Sequence, residues 1–300
     1  MTFDKFNSRV TIRGRLVAET GLHIGSGSAS LDPAATDSPV IRDVAGRPFI
    51  PGSSLKGALR AHIESLVRGL GRPGFESCDP LANPCVPNKK QNGKDGIEDL
   101  KRDADQDARD ENGRLDRVKY DGMLTNKIIG QSCVVCQLFG SPWLASHALI
   151  KDLFVDDSWQ MRRIELRDGV GIDRDTETAR QGIKYDFEVV PATTGFKLEI
   201  VAENAADDLF GLLALGLREM EQGRVALGGK TTRGLGGVRL ALEEIEVVGD
   251  ETAGKYDGEG SADLLDYLLK GQGRLLKGGA LRQYIEDKIR ALIATKLNQE

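Results

Sequence analysis

The chain has 300 residues, with 41 Lys and Arg against 46 Asp and Glu and a formal net charge of −5. A hydrophobic share of 40% supports a real core, in one large domain or two ordinary ones. The charge balance argues weakly against free nucleic-acid binding and less against a subunit that meets RNA on one face only, and no run approaches the ~18 apolar residues of a membrane helix.

The N-terminus, MTFDKFNSRV, lacks the apolar stretch of a signal peptide, so a cytoplasmic location is expected. In that compartment the four cysteines are not expected to form structural disulfides. The 36 glycines exceed the average share of ~7% and gather in loops.

Residues 8–19, SRVTIRGRLVAE, alternate. Val10, Ile12 and Leu16 point one way, and Arg9, Arg13 and Arg15 the other. That period predicts a half-buried strand with a basic outer face. Gly21, Gly25 and Gly27 then break the pattern and allow positive φ or close approach of a ligand. His23, between Leu22 and Ile24, is by default a packed or hydrogen-bonded structural residue; a catalytic imidazole is the alternative. A polar loop carrying Asp32 and Asp37 follows, then a short strand over Pro39–Arg42 and the turn Pro51-Gly52-Ser53-Ser54.

This turn opens a helix to about Arg68, with Ser53 or Ser54 as its N-cap. Leu55, Leu59, Ile63 and Leu66 form an apolar stripe, and Lys56, Arg60, Glu64 and Arg68 share the other face. An anion at the helix start would meet free amides, the dipole and two cations. A solvated charged face is the plainer reading of the same residues.

Residues 69–132 read as an insertion with mobile parts, dense in Gly and Pro to position 96 and then strongly charged. Cys78 and Cys85 open it; Cys133 and Cys136, a CxxC, close it. Four soft ligands at its two ends suit a structural zinc ion; two separate buried thiol pairs are the alternative. A redox CxxC is disfavoured, because no thioredoxin-like strand precedes it.

QLFGSPWL is a turn between apolar anchors, and Ala148–Val155 reads as a buried strand. Residues 162–203 read as a long hairpin. Its polar middle, Gly171–Lys184, carries Arg174, Arg180 and Lys184 and is expected to project as an arm. Ala205–Gln222 is an amphipathic helix. The GKT that follows does not make a nucleotide-hydrolysing P-loop, which needs Gly at 224, where Arg224 stands. What remains is a Gly-rich loop whose amides, Lys230 and Arg233 form a phosphate cradle, feeding a strand over Gly237–Val248. A linker, Gly249–Gly260, leads to helices over Ser261–Lys270 and Gly279–Leu297.

The element order predicts an α+β fold: a modified ferredoxin-like (RRM-like) core over residues 1–68 and 137–248. To this are added the cysteine-bearing insertion at 69–136, a projecting β-hairpin at about 168–190, and a linker with C-terminal helices at 249–300.

Six stretches in order, GLHIGSG, TDSPVIRD, IPGSSLKGALR, CQLFG, RDGVGIDRDTETARQGIKYDFEVVP and GGKTTRGLGGV, resemble the RAMP superfamily. Within it they are most similar to the backbone subunits of type III CRISPR effector complexes. The resemblance spans roughly residues 8–248. It implies a subunit that stacks in several copies along a guide CRISPR RNA, beside other effector subunits and away from membranes. The hairpin would be the thumb that kinks the guide–target duplex.

Asp37, in TDSPVIRD, matches the position of the family's cleaving aspartate; Asp32 lacks that support. The implied reaction is attack of the target RNA's own 2′-hydroxyl on the adjacent phosphate, with Mg²⁺ assisting. The implied RNA contacts are His23, Ser53, Ser54, Lys56, Arg60, Arg174, Lys230 and Arg233. Two other readings stay open: a non-cleaving RNA-binding scaffold, and a metal-independent endoribonuclease that processes the guide precursor.

Overall fold

The computed structural model describes residues 5–25, 27, 36–156, 163–249 and 267–297. Its centre is β1 (Ser8–Ala18), the middle strand of a five-stranded antiparallel sheet. β7 (Gly195–Glu203) and β8 (Val238–Gly249) flank it, and β3 (Ala148–Ile150) and β9 (Arg274–Lys277) form the edges, in the order β3-β7-β1-β8-β9. The expected alternation is present: Val10, Ile12 and Leu16 are buried.

Helices cover that apolar face. In α1 (Gly52–Leu70), Leu55, Leu59 and Ile63 are fully buried, and Val67 rather than Leu66 completes the stripe. Each such side chain contributes about 1.5–3 kcal/mol relative to exposure. α5 (Asp207–Glu221) buries Phe210, Leu212, Leu213, Leu217 and Met220 beside it. α6 (Gly278–Leu292) packs on α5 and continues as a π-turn over Ile293–Leu297. Of the helix expected over Ser261–Lys270, residues 267–270 are described and are helical. No helix among the described residues is long and apolar enough to cross a membrane.

The other face of the sheet carries the arginines of β1, with Lys197 of β7 opposite Arg15 and Lys277 of β9 paired with Glu244. Arg13 lies among Glu199 of β7 and Glu244 and Glu246 of β8, Arg9 pairs with Glu203, and Arg15 pairs with Asp156. The expected basic face is therefore a ladder of compensated charges. The acids come from strands remote in sequence.

Three local expectations change. Neither serine caps α1: the N-cap is Pro51 and the helix begins at Gly52. The Gly52 amide donates instead to Asp152 Oδ1, 2.8 Å away. Asp152 also divides the strand expected over Ala148–Val155 into β3 and β4 (Leu153–Phe154), and β4 pairs with β2 (Phe49–Ile50). Pro39–Arg42 forms isolated bridges rather than a strand.

The insertion folds as α2 (Ile97–Asp107) and α3 (Arg117–Gln131), followed by α4 (Val134–Phe139). Its charged composition hides a narrow buried stripe, Ile97, Leu100 and Ala104, of which Ile97 and Leu100 join Ile128 of α3 in a small core with Cys85, Val86, Cys136 and Leu144. Pairs such as Lys101–Glu98 and Arg109–Asp105 occupy the solvent side. The remaining pair, β5 (Glu165–Ile172) and β6 (Ala179–Val189), is a hairpin separate from β7. Its outer part is largely exposed, while Phe187 and Val189 at its base are buried against Leu235.

A Cβ at Gly52 would lie 2.2 Å from the Ile150 carbonyl oxygen, so α1 starts in direct backbone contact with β3. Gly52→Ala is expected to cost about 2–3 kcal/mol. Asp152→Ala, which removes only the acceptor, is expected to cost about 1 kcal/mol. Chemical denaturation of the full chain checks both values and their order.

Candidate RNA-cleavage site and metal-binding thiol cluster

Four segments meet at the base of β6. The first follows β1. Leu22 and Val190 exchange backbone hydrogen bonds at 2.9 and 2.8 Å, which brings the next residue, His23, over the strand. His23 is buried. Its Nδ1 lies 2.7 Å from the Glu188 carbonyl oxygen, which can only accept, so Nδ1 carries the proton. In the neutral ring Nε2 then accepts from the Ser38 hydroxyl, 3.2 Å away. With both nitrogens engaged, His23 is a structural hub, as its apolar neighbours suggest.

The second segment carries Asp37, whose side chain is exposed. Its amide donates to Asp186 Oδ1 at 2.8 Å, and its own Oδ2 accepts from the Asp186 amide at 3.0 Å. The Glu188 amide donates to the Ser38 carbonyl at 3.1 Å. The Glu188 carboxylate takes the Val40 amide at 2.9 Å and pairs with Arg42. Residues 37–42 are thus laid against the outer edge of β6, the third segment. Among the described residues, Asp37 Oδ1 accepts no hydrogen bond. Asp32 lies outside the described residues.

The fourth segment is the Gly-rich loop before β8. The Gly229 amide donates to the His23 carbonyl at 2.8 Å. Gly228, at φ 83°, approaches so closely that a Cβ would stand 2.3 Å from that oxygen. Only glycine fits both the left-handed backbone and the gap. Beyond it, Lys230 Nζ sits 4.5 Å from the Phe187 ring centre and 5.1 Å from that of Tyr185. Arg233 hydrogen-bonds the Tyr185 hydroxyl. Asp37, His23, Lys230 and Arg233 are therefore gathered at one strand.

The α1 residues go elsewhere. Positions 56, 60 and 64 are each one step along the helix from the buried stripe, so they flank it instead of lying opposite. Lys56 Nζ donates to Ser146 Oγ at 2.8 Å and to the Ala148 carbonyl at 3.3 Å. Burial, and then the charge of Arg60, hold its ammonium below the ordinary lysine value. Arg60 bonds Glu64, the Gly140 carbonyl at 3.0 Å and Cys136 Sγ at 3.4 Å. Ser53 is exposed and Ser54 half-buried on the first turn, beside the amide that Asp152 takes. Arg174 is exposed at the hairpin tip.

Tyr185, Asp186 and Glu188 are site residues that the sequence reading did not single out. The signal was present in KYDFEVV: Tyr185, Phe187 and Val189 alternate with Lys184, Asp186 and Glu188, so one set faces the loops' apolar side and the other the loop backbone.

The four cysteines form a second centre. Their sulfurs lie within 4.8 Å of one another and could hold a metal ion. Cys133 is the N-cap of α4 and Cys136 is three residues on, so one helical turn aims both inward. The Cys133 amide donates to Cys85 Sγ at 3.1 Å, and Cys78 and Cys136 sulfurs are 3.5 Å apart. Hydrogen bonds from the Cys136, Cys78 and Cys85 thiols hold Cys133 far below the ordinary thiol range. The same Cys133 sulfur pushes Cys136 far up. So close a set ionises fully only around a cation.

The RAMP superfamily model matches residues 15–239, a stretch that contains both centres. Curated relatives point the same way. The CRISPR system Cms endoribonuclease Csm3 of Enterococcus italicus is 28% identical over 245 residues, covering 81% of this chain and 95% of the relative. The protein of that name from Streptococcus thermophilus is 26% identical over 269 residues, 88% of this chain and 98% of the relative. That from Methanocaldococcus jannaschii is 52% identical over a shorter stretch of 56 residues, 19% of this chain and 23% of the relative. With the family model spanning most of its length and all of the residues gathered at β6, the chain belongs to the RAMP superfamily.

Proposed function

We propose that this chain is a backbone subunit of a type III CRISPR ribonucleoprotein, which binds guide RNA along its phosphates and cuts the paired target RNA at Asp37. The carrying observation is the exposed Asp37 carboxylate, whose Oδ2 accepts the Asp186 amide of β6, the strand that Lys230 and Arg233 also meet through Phe187 and Tyr185. Similarity to relatives named as CRISPR endoribonucleases along almost their whole length supports the reading. Its partners are then guide RNA, single-stranded target RNA, further copies of the chain and other effector subunits.

The core is ferredoxin-like. Taken as β1-α1-β3-β7-α5-β8, with sheet order β3-β7-β1-β8, the elements follow the βαββαβ plan. β5–β6 leaves between the third and fourth of those elements, where a thumb would be expected. Its exposed apolar residues, Leu166, Val170 and Ile172, suit contact with splayed bases.

In the proposed reaction the target's 2′-oxygen attacks the adjacent phosphorus. The O2′–P bond forms, the P–O5′ bond breaks, the 2′-proton leaves to a base and the 5′-oxygen takes up a proton. The products are a 2′,3′-cyclic phosphate and a 5′-hydroxyl. Asp37 Oδ1, free of hydrogen bonds among the described residues, is the atom available to orient or receive that proton. The same oxygen, with phosphate oxygens and waters, fits the one-carboxylate pattern by which Mg²⁺ is held. Bound there, the ion would neutralise charge developing on the phosphate. Lys230 and Arg233 supply the fixed positive charge that holds the phosphate backbone. His23, with both ring nitrogens engaged, does not favour the guide-processing alternative.

The thiol cluster is read as structural zinc, tying the two ends of the insertion. Tetrahedral zinc with sulfurs at ~2.3 Å places them ~3.8 Å apart, a spacing that four sulfurs within 4.8 Å of one another accommodate.

Three outcomes are expected. In the assembled complex with Mg²⁺, Asp37→Ala should lower cleavage of guide-complementary RNA about 10²–10⁴-fold with guide binding intact; equal cutting would move the chemistry elsewhere. Lys230→Ala should weaken RNA binding uniformly across sequences and reduce the salt slope by about 1, read from affinity at several salt concentrations. Protein purified without chelator should carry one zinc per chain. Cys133→Ser should lose it and lower the melting midpoint by about 5 °C or more, as metal analysis and calorimetry would report.

A further inference from the structure

We infer that Asp186 is a positioning residue for Asp37: its carboxylate accepts the Asp37 amide and its own amide donates to the Asp37 carboxylate, so the hairpin strand fixes the direction of the cleaving group. The inference rests on the reading of Asp37 as that group.

The two bonds, at 2.8 and 3.0 Å, close a reciprocal ring between residues 149 apart in sequence. One holds the main chain of Asp37; the other holds Oδ2 and so sets the side-chain torsion. Oδ1 is thereby left without a hydrogen bond among the described residues. No described cation pairs with Asp186. Its cross-strand neighbour Asp168 takes Lys184, 3.3 Å away. The Asp186 carboxylate therefore acts here as a hydrogen-bond acceptor for a backbone amide, a task that an amide oxygen performs equally well.

β6 is stiff where this happens. Phe187 and Val189 anchor it in a small core with Leu235, and Glu188 holds residues 38, 40 and 42 just beyond. Farther along, the same strand forms half of the exposed hairpin. A displacement of the hairpin's base is thus delivered directly to the Asp37 main chain, and misplacement by about 1 Å can cost on the order of 10²-fold in rate.

The test uses the assembled ribonucleoprotein with saturating guide-complementary RNA, single-turnover cleavage and target affinity being measured for Asp186→Ala, Asp186→Asn and Asp37→Ala. Hydrogen exchange across residues 36–42 is followed in parallel. Asp186→Ala should slow cleavage about tenfold to a hundredfold, leave target affinity unchanged and speed exchange at the Asp37 amide. Asp186→Asn should restore rate and protection. Asp186→Ala cutting at the wild-type rate while Asp37→Ala is inactive overturns the inference and leaves the reading of Asp37 standing. Asp186→Asn as slow as Asp186→Ala also overturns it, because charge rather than an acceptor would then be needed. Asp37→Ala cutting normally removes the reading itself. Should Asp186→Ala fail to assemble, the asparagine variant decides alone: near-wild-type rate sustains the inference and loss of rate overturns it.

Discussion

The site depends on one buried imidazole. His23 is buried, and an unsatisfied buried nitrogen costs about 1–3 kcal/mol. It therefore fixes its surroundings: the Glu188 carbonyl on one side, the Ser38 hydroxyl on the other, and the Gly-rich loop on its own carbonyl. Three segments distant in sequence are brought into register by one residue's bonds. Exposed Asp37 and Arg233 and half-buried Lys230 stand on backbone that this arrangement holds still. The outer side chains rest on supports beneath them.

Much of the fold was legible because it rests on periodic burial. β1, α1, α5, β8 and α6 each carry an apolar pattern of the right period, and each is present within a few residues of its expected span. The cysteines were legible as a group from chemistry alone. α2 and α3 were not, because a stripe as thin as Ile97, Leu100 and Ala104 disappears among charges. The serine caps failed for a different reason: the group that satisfies the first amide of α1 is Asp152, a hundred residues away. Asp186 and Glu188 were missed likewise. Alternation places them on one face of a strand, but nothing local indicates that a loop from the other half of the chain will lie there.

Lys56 and Arg60 show how a correct periodicity can mislead. Four-residue spacing does put them in one row. The row borders the buried stripe, so one cation is drawn to β3 and the other to the thiol cluster. Arg60 then joins α1 of the core to the centre that closes the insertion. A guanidinium beside four sulfurs would also offset the net negative charge of four thiolates around a divalent ion.

The charge ladder on the open face of the sheet has its own effect on how the molecule meets a polyanion. Arg9, Arg13 and Arg15 lie within reach of that surface, yet every one is already matched by a carboxylate of β7, β8 or the segment after β4. A phosphate laid across it would have to evict Glu199, Glu244 or Glu246 to gain a guanidinium, and the exchange returns little free energy. The three arginines are in effect electrostatically matched. Sorting of this kind would direct a polyanion by subtraction even on a chain of net charge −5: the arginines of the sheet are withheld, so Lys230 and Arg233 at the Gly-rich loop would not have to compete with them.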